Sequence, residues 1–253
     1  MKVRLISMTP NPMEVMYVGA RTCYSGSSPI DMYNDVNNRL DPPESCKKLV
    51  HQVLESGHLS IAEHVNFTFA IEGISRACSH QLVRHRHCTF SQQSQRYVEI
   101  KESQEELYDA YTENYGSGNF ADTRIAKILN KYFIDGDKSK NVNAFYYALD
   151  NYLEAIKHGD KAEDARRFLP NATKTNIVMT CNLRQLMHIA DLRLCTRAQT
   201  EIRMLFHAIK DEVYNYNDDI GIMLIPKCER QGFCDEHKSC GRMESKGVSG
   251  ELS

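Results

Sequence analysis

The chain contains no tryptophan and no long hydrophobic run, and it carries almost no net charge. No stretch approaches the ~20 consecutive apolar residues that a membrane-spanning helix requires. A formal net charge of -2 gives no general attraction to nucleic acid or to an anionic membrane, so any basic site must be local. The N-terminal residues lack the apolar stretch and small-residue cleavage site of a secretory signal. These absences predict a cytoplasmic protein that binds neither membranes nor nucleic acid.

The cysteines show no Cys-x-x-Cys pair, although there are nine of them. Because the number is odd and six are scattered, we expect reduced, mostly buried thiols rather than a disulfide framework. The other three, Cys228, Cys234 and Cys240, are evenly spaced near the C-terminal end. With His237 they could supply four zinc ligands, but their spacing favours free or redox-active thiols, and we predict no metal.

The order of elements indicates the fold class. Strand-like alternation over residues 2–7, 65–72 and 175–181 is interspersed with helical patterns, as over 141–158 and 197–216. This order predicts an α/β (α+β) fold with a central mixed or antiparallel sheet flanked by helices. We expect a single domain over residues 1–222, because 253 residues can bury one core, and a cysteine-containing tail over 223–253.

Local signals predict several element boundaries. Ser75 can cap a helix, and residues 41–44 can open another. Ser60 and Glu63 read as a capping box, as do Asn182 and Gln185. The stretch 102–140 is polar and acidic, with loop signals at 116–118 and 136–140, and residues 244–253 are expected to be disordered.

The most informative stretch, residues 84–97, reads Arg-His-Arg, seven residues, then Ser-Gln-Arg-Tyr. Three arginines so close together repel one another unless an anion lies between them, and arginine suits two-bond recognition of phosphate. A solvated basic face is the simpler interpretation. We expect Val83, Phe90 and Tyr97 to bring parts of this segment toward a core, where arginines need partners. After the helix that Ser75 caps, the segment is expected to form an irregular binding loop.

This stretch resembles the Arg-His-Arg-x7-Ser signature of the flavin-dependent thymidylate synthases. Three further blocks resemble the same family in the same order: Gly-His-x-Ser-x-x-Glu-His at 57–64, Ala-Arg-x-x-Leu-Pro at 165–170, and the segment 182–203. The family often has tryptophan after an Ala-Gln pair, where this chain has Thr200. We interpret that difference as a change of packing.

The resemblance implies reductive methylation of dUMP to dTMP, with methylenetetrahydrofolate as carbon donor, NADPH as reductant and FAD as hydride carrier. It also implies a homotetramer whose active sites are shared between chains. No Pro-Cys-His nucleophile element is present, and Cys88 is a weak candidate for a nucleophile. A pyrimidine ring made electron-rich by Arg193 is the better physical explanation.

The resemblance also implies roles for individual residues. Arg193 would lie over the pyrimidine ring and favour loss of its N3 proton, and His58 would lie beside the substrate; we assign both as catalytic. The dUMP-binding residues are Gln81, Arg84, Gln92, Ser94, Gln95, Arg96, Arg166 and Arg193. The FAD-binding residues are Ser60, Arg84, His85, Arg86, Gln92, Asn182, Arg184 and His188.

Helical geometry adds one expectation about the segment 182–193. Arg184 and His188 are four residues apart and share a helix face. Arg193 lies nine residues after Arg184, which places it about 180° around the helix axis, on the opposite face. Arg184 and Arg193 should therefore serve different ligands or different subunits.

Two alternatives remain open from the residues alone. One is a nucleic-acid-binding protein that uses the Arg84–Arg96 cluster, with the cysteine tail as a zinc module; the absence of a basic stripe counts against it. The other is a flavoprotein that acts on a different nucleotide.

Overall fold

The computed structural model describes residues 1–37, 44–113, 120 and 122–246. The strands are β1 (Lys2–Met8), β2 (Asn66–Ser75), β3 (Cys88–Gln92) and β4 (Lys174–Asn182). The helices are α1 (Pro12–Thr22), α2 (Pro29–Asn37), α3 (Glu44–Glu55), α4 (Arg76–Leu82), α5 (Gln104–Thr112), α6 (Arg124–Tyr132), α7 (Ser139–Lys157), α8 (Ala162–Ala165), α9 (Leu183–Arg193), α10 (Thr200–Tyr216), α11 (Asp218–Gly221) and α12 (Lys227–Gln231). Two 3-10 helices cover Leu59–His64 and Arg166–Phe168.

The strands form a sheet in the order β1-β2-β4-β3. Leu183 N–H donates to the Val65 carbonyl at 2.7 Å, and Gly73 N–H donates to Asn176 Oδ1 at 3.0 Å. Residue numbers therefore fall along β4 as they rise along β2, which makes this pair antiparallel. An antiparallel sheet accompanied by many helices confirms the predicted fold class.

The chain divides into two compact units. The first unit comprises Met1–Lys2, Ile71–Arg84 and Ser91–Ile177, and the second comprises Val3–Ala70, His85–Phe90 and Val178–Ser253. Each strand contributes residues to both units. The prediction of a domain over 1–222 with a tail over 223–253 stays a prediction.

The core of the first unit is built mainly by α5, α6 and α7. Leu107, Ile125, Leu129 and Leu149 are fully buried in one cluster. Tyr111 stacks on Tyr146 with ring centroids 3.9 Å apart. Such aromatic pairs add about 0.5–1.5 kcal/mol beyond the burial of their area.

The polar stretch 102–140, whose glycines signal loops, also contains two helices, α5 and α6. Ser103 Oγ accepts a hydrogen bond from Glu106 N–H at 3.2 Å, and Thr123 Oγ1 accepts one from Ala126 N–H at 3.3 Å. These caps start two helices that bury Leu107, Ala110 and Tyr111 from α5 and Ile125, Ala126, Ile128 and Leu129 from α6. A narrow apolar stripe with good caps outweighs a polar average composition. Residues 114–119 and 121 lie outside the described residues.

The core of the second unit receives side chains from β2 and α10. Phe67, Phe69, Leu205 and Phe206 are almost completely buried. The predicted helix opening at 41–44 falls largely on residues outside the described ranges, and α3 begins at Glu44. Within the described ranges, no helix is long and apolar enough to span a membrane.

The signature segment differs from the expected irregular loop, because Cys88–Gln92 forms β3. Val83 and Tyr97 are not drawn toward a core: Tyr97 is 79% exposed, and Val83 is also exposed. The inward-facing side chain is instead His85, which is 7% exposed. Thr89 and Ser91 alternate with their apolar neighbours Cys88 and Phe90, and this alternation suits a half-buried strand.

Capping was predicted correctly at Ser75 and Asn182 and wrongly at Ser60. Ser75 Oγ accepts from Cys78 N–H at 2.9 Å, and Asn182 Oδ1 accepts from Gln185 N–H at 2.9 Å. Around Ser60 the chain forms a 3-10 helix with His58 at its N-cap, because the turn is too tight for a capping box.

Candidate active site

The N-terminus of α9 builds the best-defined part of the site, in the second unit. Asn182 ends β4 and caps α9, so its side chain is fixed where the first backbone N–H groups of the helix point outward. Arg184 and His188 follow on one face of the helix, as their four-residue spacing predicts. A helix N-terminus with a neighbouring arginine attracts anionic groups such as phosphate.

A cavity of about 590 Å³ lies against this face of α9. Its walls include three of the predicted FAD residues, Asn182, Arg184 and His188, together with His87 from the signature segment. The cavity therefore brings together residues that the sequence places almost a hundred positions apart.

Two ion pairs border this cavity, and neither was predicted. Arg184 pairs with Glu63, whose carboxylate was expected to serve a capping box. Arg230, from the predicted tail, donates through Nε to Asp191 at 2.8 Å. Both arginines line the cavity. No spacing rule in the sequence links residue 63 to 184 or 191 to 230, so only the folded chain shows these partners.

His85, the central residue of the signature, contacts Arg193 directly. Arg193 Nε donates a hydrogen bond to His85 Nε2 at 3.1 Å. Burial is the main cause that lowers the pKa of His85 to about 4, and the nearby Arg193 and His188 lower it further. His85 is therefore a neutral imidazole that accepts at Nε2 and carries its proton on Nδ1. The resemblance implied that His85 binds flavin, and that role stays a prediction; the contact observed for His85 is with the predicted catalytic arginine.

The lowered pKa of His85 predicts how stability depends on pH. Its folded-state value of about 4 lies below the ordinary value of 6.5, so the unfolded chain binds the proton first. The contribution to stability is complete above about pH 6.5 and is lost as the pH falls toward 4. We expect wild type to lose about 1–2 kcal/mol between pH 7 and pH 5 relative to His85→Gln, in urea unfolding. Parallel pH profiles for the two proteins would contradict this.

The first unit holds most of the predicted dUMP residues. Arg96 Nε donates to Glu163 Oε2 at 2.7 Å, and Arg166 Nε donates to the Glu163 carbonyl at 3.0 Å. Residue 163 therefore connects the arginine that ends the signature to the arginine of the Ala-Arg block. These two sequence blocks therefore meet in space.

Arg76 joins this arginine group and was not among the predicted site residues. Burial, with the like charge of Arg166, lowers the pKa of the Arg76 guanidinium below its usual value. Arg76, Gln95 and Arg166 line a cavity of about 460 Å³. Two neighbouring guanidiniums at one cavity favour an anion between them. The sequence contained one signal for this role of Arg76, which is its position on the same capped helix as the predicted dUMP residue Gln81.

Other predicted dUMP residues have internal partners. Gln92 Nε2 donates to Ser79 Oγ at 2.9 Å and to Thr175 Oγ1 at 3.2 Å. Ser94 Oγ accepts from Arg96 N–H at 3.2 Å, which makes it a turn residue as well as a lining residue of a second cavity of about 410 Å³. These bonds fix the backbone that presents Gln95.

The remaining predicted residues lie at more exposed positions. Arg84 follows the C-terminus of α4, and Gln81 lies half-buried in its last turn. Arg86, His58 and Ser60 are exposed. Their assigned roles stay predictions.

Tail residues surround a cavity of about 430 Å³ in the second unit. Cys195 lines it together with Cys228, Cys234 and Cys240. Over the described ranges, no group of three or more His, Cys, Asp or Glu side chains is arranged to hold a metal ion, so His237 and the tail cysteines are not assembled as ligands. Disorder was wrongly predicted for residues 244–246, because Cys234 N–H donates to the Glu244 carbonyl at 2.8 Å. Residues 247–253 lie outside the described ranges.

Comparison with known proteins now decides the family. Residues 4–216 match the family described as thymidylate synthase complementing protein. The chain belongs to this family. The match includes every block that carried the resemblance at the sequence level, so the predicted recognition is confirmed.

Curated relatives and solved structures agree with this membership. A flavin-dependent thymidylate synthase from Nitratidesulfovibrio vulgaris is 37% identical over 245 residues, which cover 95% of this chain and 94% of the relative. One from Pyrococcus furiosus is 37% identical, with 93% and 89% covered. A crystal structure of the Helicobacter pylori enzyme complexed with FAD and dUMP superimposes with a TM-score of 0.68 at 24% identity, covering 89% of this chain and 100% of that chain. A UMP/dUMP methylase from Streptomyces cacaoi superimposes with a TM-score of 0.65 at 21% identity, covering 88% of this chain and 93% of that chain. These two structures show the shared fold.

Proposed function

We propose that this protein is an FAD-dependent methyltransferase, a thymidylate synthase that converts dUMP to dTMP. Methylenetetrahydrofolate supplies the carbon and NADPH supplies the reducing equivalents. The observation that carries the proposal is the α9 cavity, where Asn182, Arg184 and His188 converge. The resemblance assigns these three residues, which lie in the block 182–203, to flavin, and the chain is 37% identical over 245 residues to an enzyme named for this activity.

The residues at the α9 cavity fit the chemistry of FAD. A pyrophosphate needs donors with positive charge, and the cavity offers a helix N-terminus, Arg184 and Arg230. Flavin, when bound, would carry the hydride that converts the transferred carbon to a methyl group. The side chains of the protein bind and orient it. The Glu63 carboxylate holds Arg184 in place and also competes for its charge.

Arg193 is the residue that we assign to the pyrimidine ring. A guanidinium over the ring stabilises negative charge on the ring oxygens and favours loss of the N3 proton, which makes the carbon to be methylated more nucleophilic. The neutral His85 fixes the direction of this guanidinium through the 3.1 Å hydrogen bond. A buried acceptor that stays neutral leaves the full positive charge of Arg193 for the substrate.

The arginine pair of the first unit is suited to the phosphate of dUMP. Arg76 and Arg166 share one cavity wall, and a bound dianion would offset their mutual repulsion. Gln95 lines the same cavity and could donate to a further oxygen.

Arg166→Ala tests this phosphate site. Loss of one charge-assisted hydrogen bond, about 1.5–3 kcal/mol, should weaken dUMP binding roughly 10- to 100-fold in calorimetric titration. Arg124→Ala is the matched control, because Arg124 on α6 is paired with Glu106 at 3.1 Å and with Glu113 at 3.2 Å. Equal dUMP affinity in Arg166→Ala and wild type would remove Arg166 from the site.

We further propose a cytoplasmic homotetramer whose active sites combine residues from different chains. At a dUMP concentration well below the weakened dissociation constant of Arg166→Ala, this variant and Arg193→Ala should each form little dTMP. Mixing the two tests the proposal, because a hybrid tetramer would pair an intact Arg166 from one chain with an intact Arg193 from another. Recovery of dTMP formation after mixing supports shared sites. Sedimentation as a tetramer without recovery would place each site within one chain.

The substrate is tested by assaying dTMP formation in parallel with methylation of UMP. A dUMP preference supports the proposal. Exclusive methylation of UMP would make the protein a flavoenzyme for a different nucleotide, which was the second alternative open from the sequence.

A further inference from the structure

Two cysteines face each other across β3 and β4. Gln93 N–H donates to the Asn176 carbonyl at 2.9 Å, which fixes the antiparallel register of these strands. Counting five residues in opposite directions places Cys88 opposite Cys181, at a position where the strands exchange no backbone hydrogen bonds. Residues opposed in this way have Cα atoms about 4.5 Å apart, within the range of about 4.4–6.8 Å that disulfides span.

The two thiols are already in contact. A side-chain hydrogen bond from Cys181 to Cys88 lowers the pKa of the Cys88 thiol, and the same bond, together with burial, raises the pKa of Cys181. Cys88 is half-buried, whereas Cys181 is almost fully buried, and both are free thiols. One thiol is therefore the accessible nucleophile, and the other lies positioned to react with it.

The pair lies next to the cavity assigned to the flavin. His87 precedes Cys88 and Asn182 follows Cys181, and both neighbours line that cavity. A disulfide brings its two sulfur atoms to about 2.05 Å, closer than two free thiols approach each other. Closing that gap must shift the strand ends or the side chains beside the cavity, and binding sites lose affinity through small displacements.

We propose that Cys88 and Cys181 form an oxidisable dithiol that hydrogen peroxide closes to an intrachain disulfide, and that this closure weakens FAD binding. The second half of this statement rests on the proposed function, while the first half does not.

One molecule of hydrogen peroxide is the oxidant that converts the two thiols to a disulfide. The Cys88 thiolate attacks one peroxide oxygen, the O–O bond breaks, and the products are a Cys88 sulfenic acid and hydroxide. The Cys181 sulfur then attacks the sulfenic sulfur, the S–O bond breaks, and the oxygen leaves as water with the Cys181 proton. Two thiols lose two electrons in total, and peroxide is reduced to two waters.

Peptide mapping of the full-length wild-type protein tests the first half. The reduced protein is treated with peroxide, remaining thiols are alkylated, and trypsin releases Cys88 and Cys181 on the separate peptides 87–96 and 175–184. We expect these peptides to be joined, and to separate after dithiothreitol. The exposed Cys23 reports whether the peroxide has acted. If Cys23 is fully oxidised while Cys88 and Cys181 are both alkylated on separate peptides, the proposal is overturned. Cys23→Ser should still form the link, and Cys88→Ser should not.

Titration with FAD tests the second half. Peroxide-treated wild type should bind FAD several-fold more weakly than reduced protein, dithiothreitol should restore the affinity, and Cys88→Ser should show no peroxide effect. Unchanged FAD affinity in protein that carries the disulfide would overturn the link to the flavin cavity. Failure of the reduced protein to bind FAD would instead count against the proposed function, and the peptide map would remain interpretable.

Discussion

Arg193→Ala should lower the rate of dTMP formation by about two to three orders of magnitude while FAD stays bound. Arg193 lies at the last turn of α9, away from the face that carries Arg184 and His188, so its loss leaves the flavin cavity intact. Its guanidinium is directed by a neutral, buried histidine, and a preoriented charge stabilises a transition state more than a mobile one does. Steady-state assays of dTMP and the visible flavin spectrum measure the two effects separately.

Two further variants sharpen this prediction. Arg203→Ala removes an arginine whose Nη1 donates to the Thr196 carbonyl at 2.7 Å, and it should leave the rate within a few-fold of wild type. His85→Gln should lower the rate less than Arg193→Ala, because the guanidinium remains but loses its direction. Loss of flavin from Arg193→Ala would assign this arginine to the cofactor and contradict its role at the pyrimidine.

Arg184→Ala should weaken FAD binding by roughly 10- to 100-fold, which corresponds to one charge-assisted hydrogen bond of about 1.5–3 kcal/mol. Arg184 is the second residue of α9 and stands beside the outward-pointing N–H groups of the helix. Removing it takes away positive charge where the pyrophosphate is expected. Quenching of flavin fluorescence on titration measures the dissociation constant.

Glu63→Gln is the matched variant for this prediction. It removes the carboxylate that pairs with Arg184 but keeps the arginine, so FAD affinity should be unchanged or higher. If Arg184→Ala bound FAD as tightly as wild type, the α9 cavity would not be the flavin site.

Local features of the site were predictable because short-range rules govern them. Asn182 caps α9 as its spacing from Gln185 requires, and Arg184 and His188 share a face because they are one helical turn apart. The antiparallel sheet with helices also followed from the order of patterns. For the cap and the shared helix face, the relevant partners lie within four residues.

The contacts that give the site its chemistry could not be predicted in this way. His85 reaches Arg193 across 108 residues, and Arg184 reaches Glu63 across 121. Which long-range partners meet depends on strand register and side-chain packing, and local spacing contains no signal for either. The signature therefore indicated which residue types mattered, and only the fold showed that His85 positions another residue.

The most direct test of the proposed function is an anaerobic single-turnover reaction of the FAD-loaded protein. The flavin is first reduced with NADPH, and dUMP and methylenetetrahydrofolate are then added together. We predict flavin reoxidation accompanied by dTMP in equal amount, and neither when dUMP is left out. Flavin that stays reduced, with no dTMP formed from the complete mixture, would contradict the assignment of this chain as a thymidylate synthase.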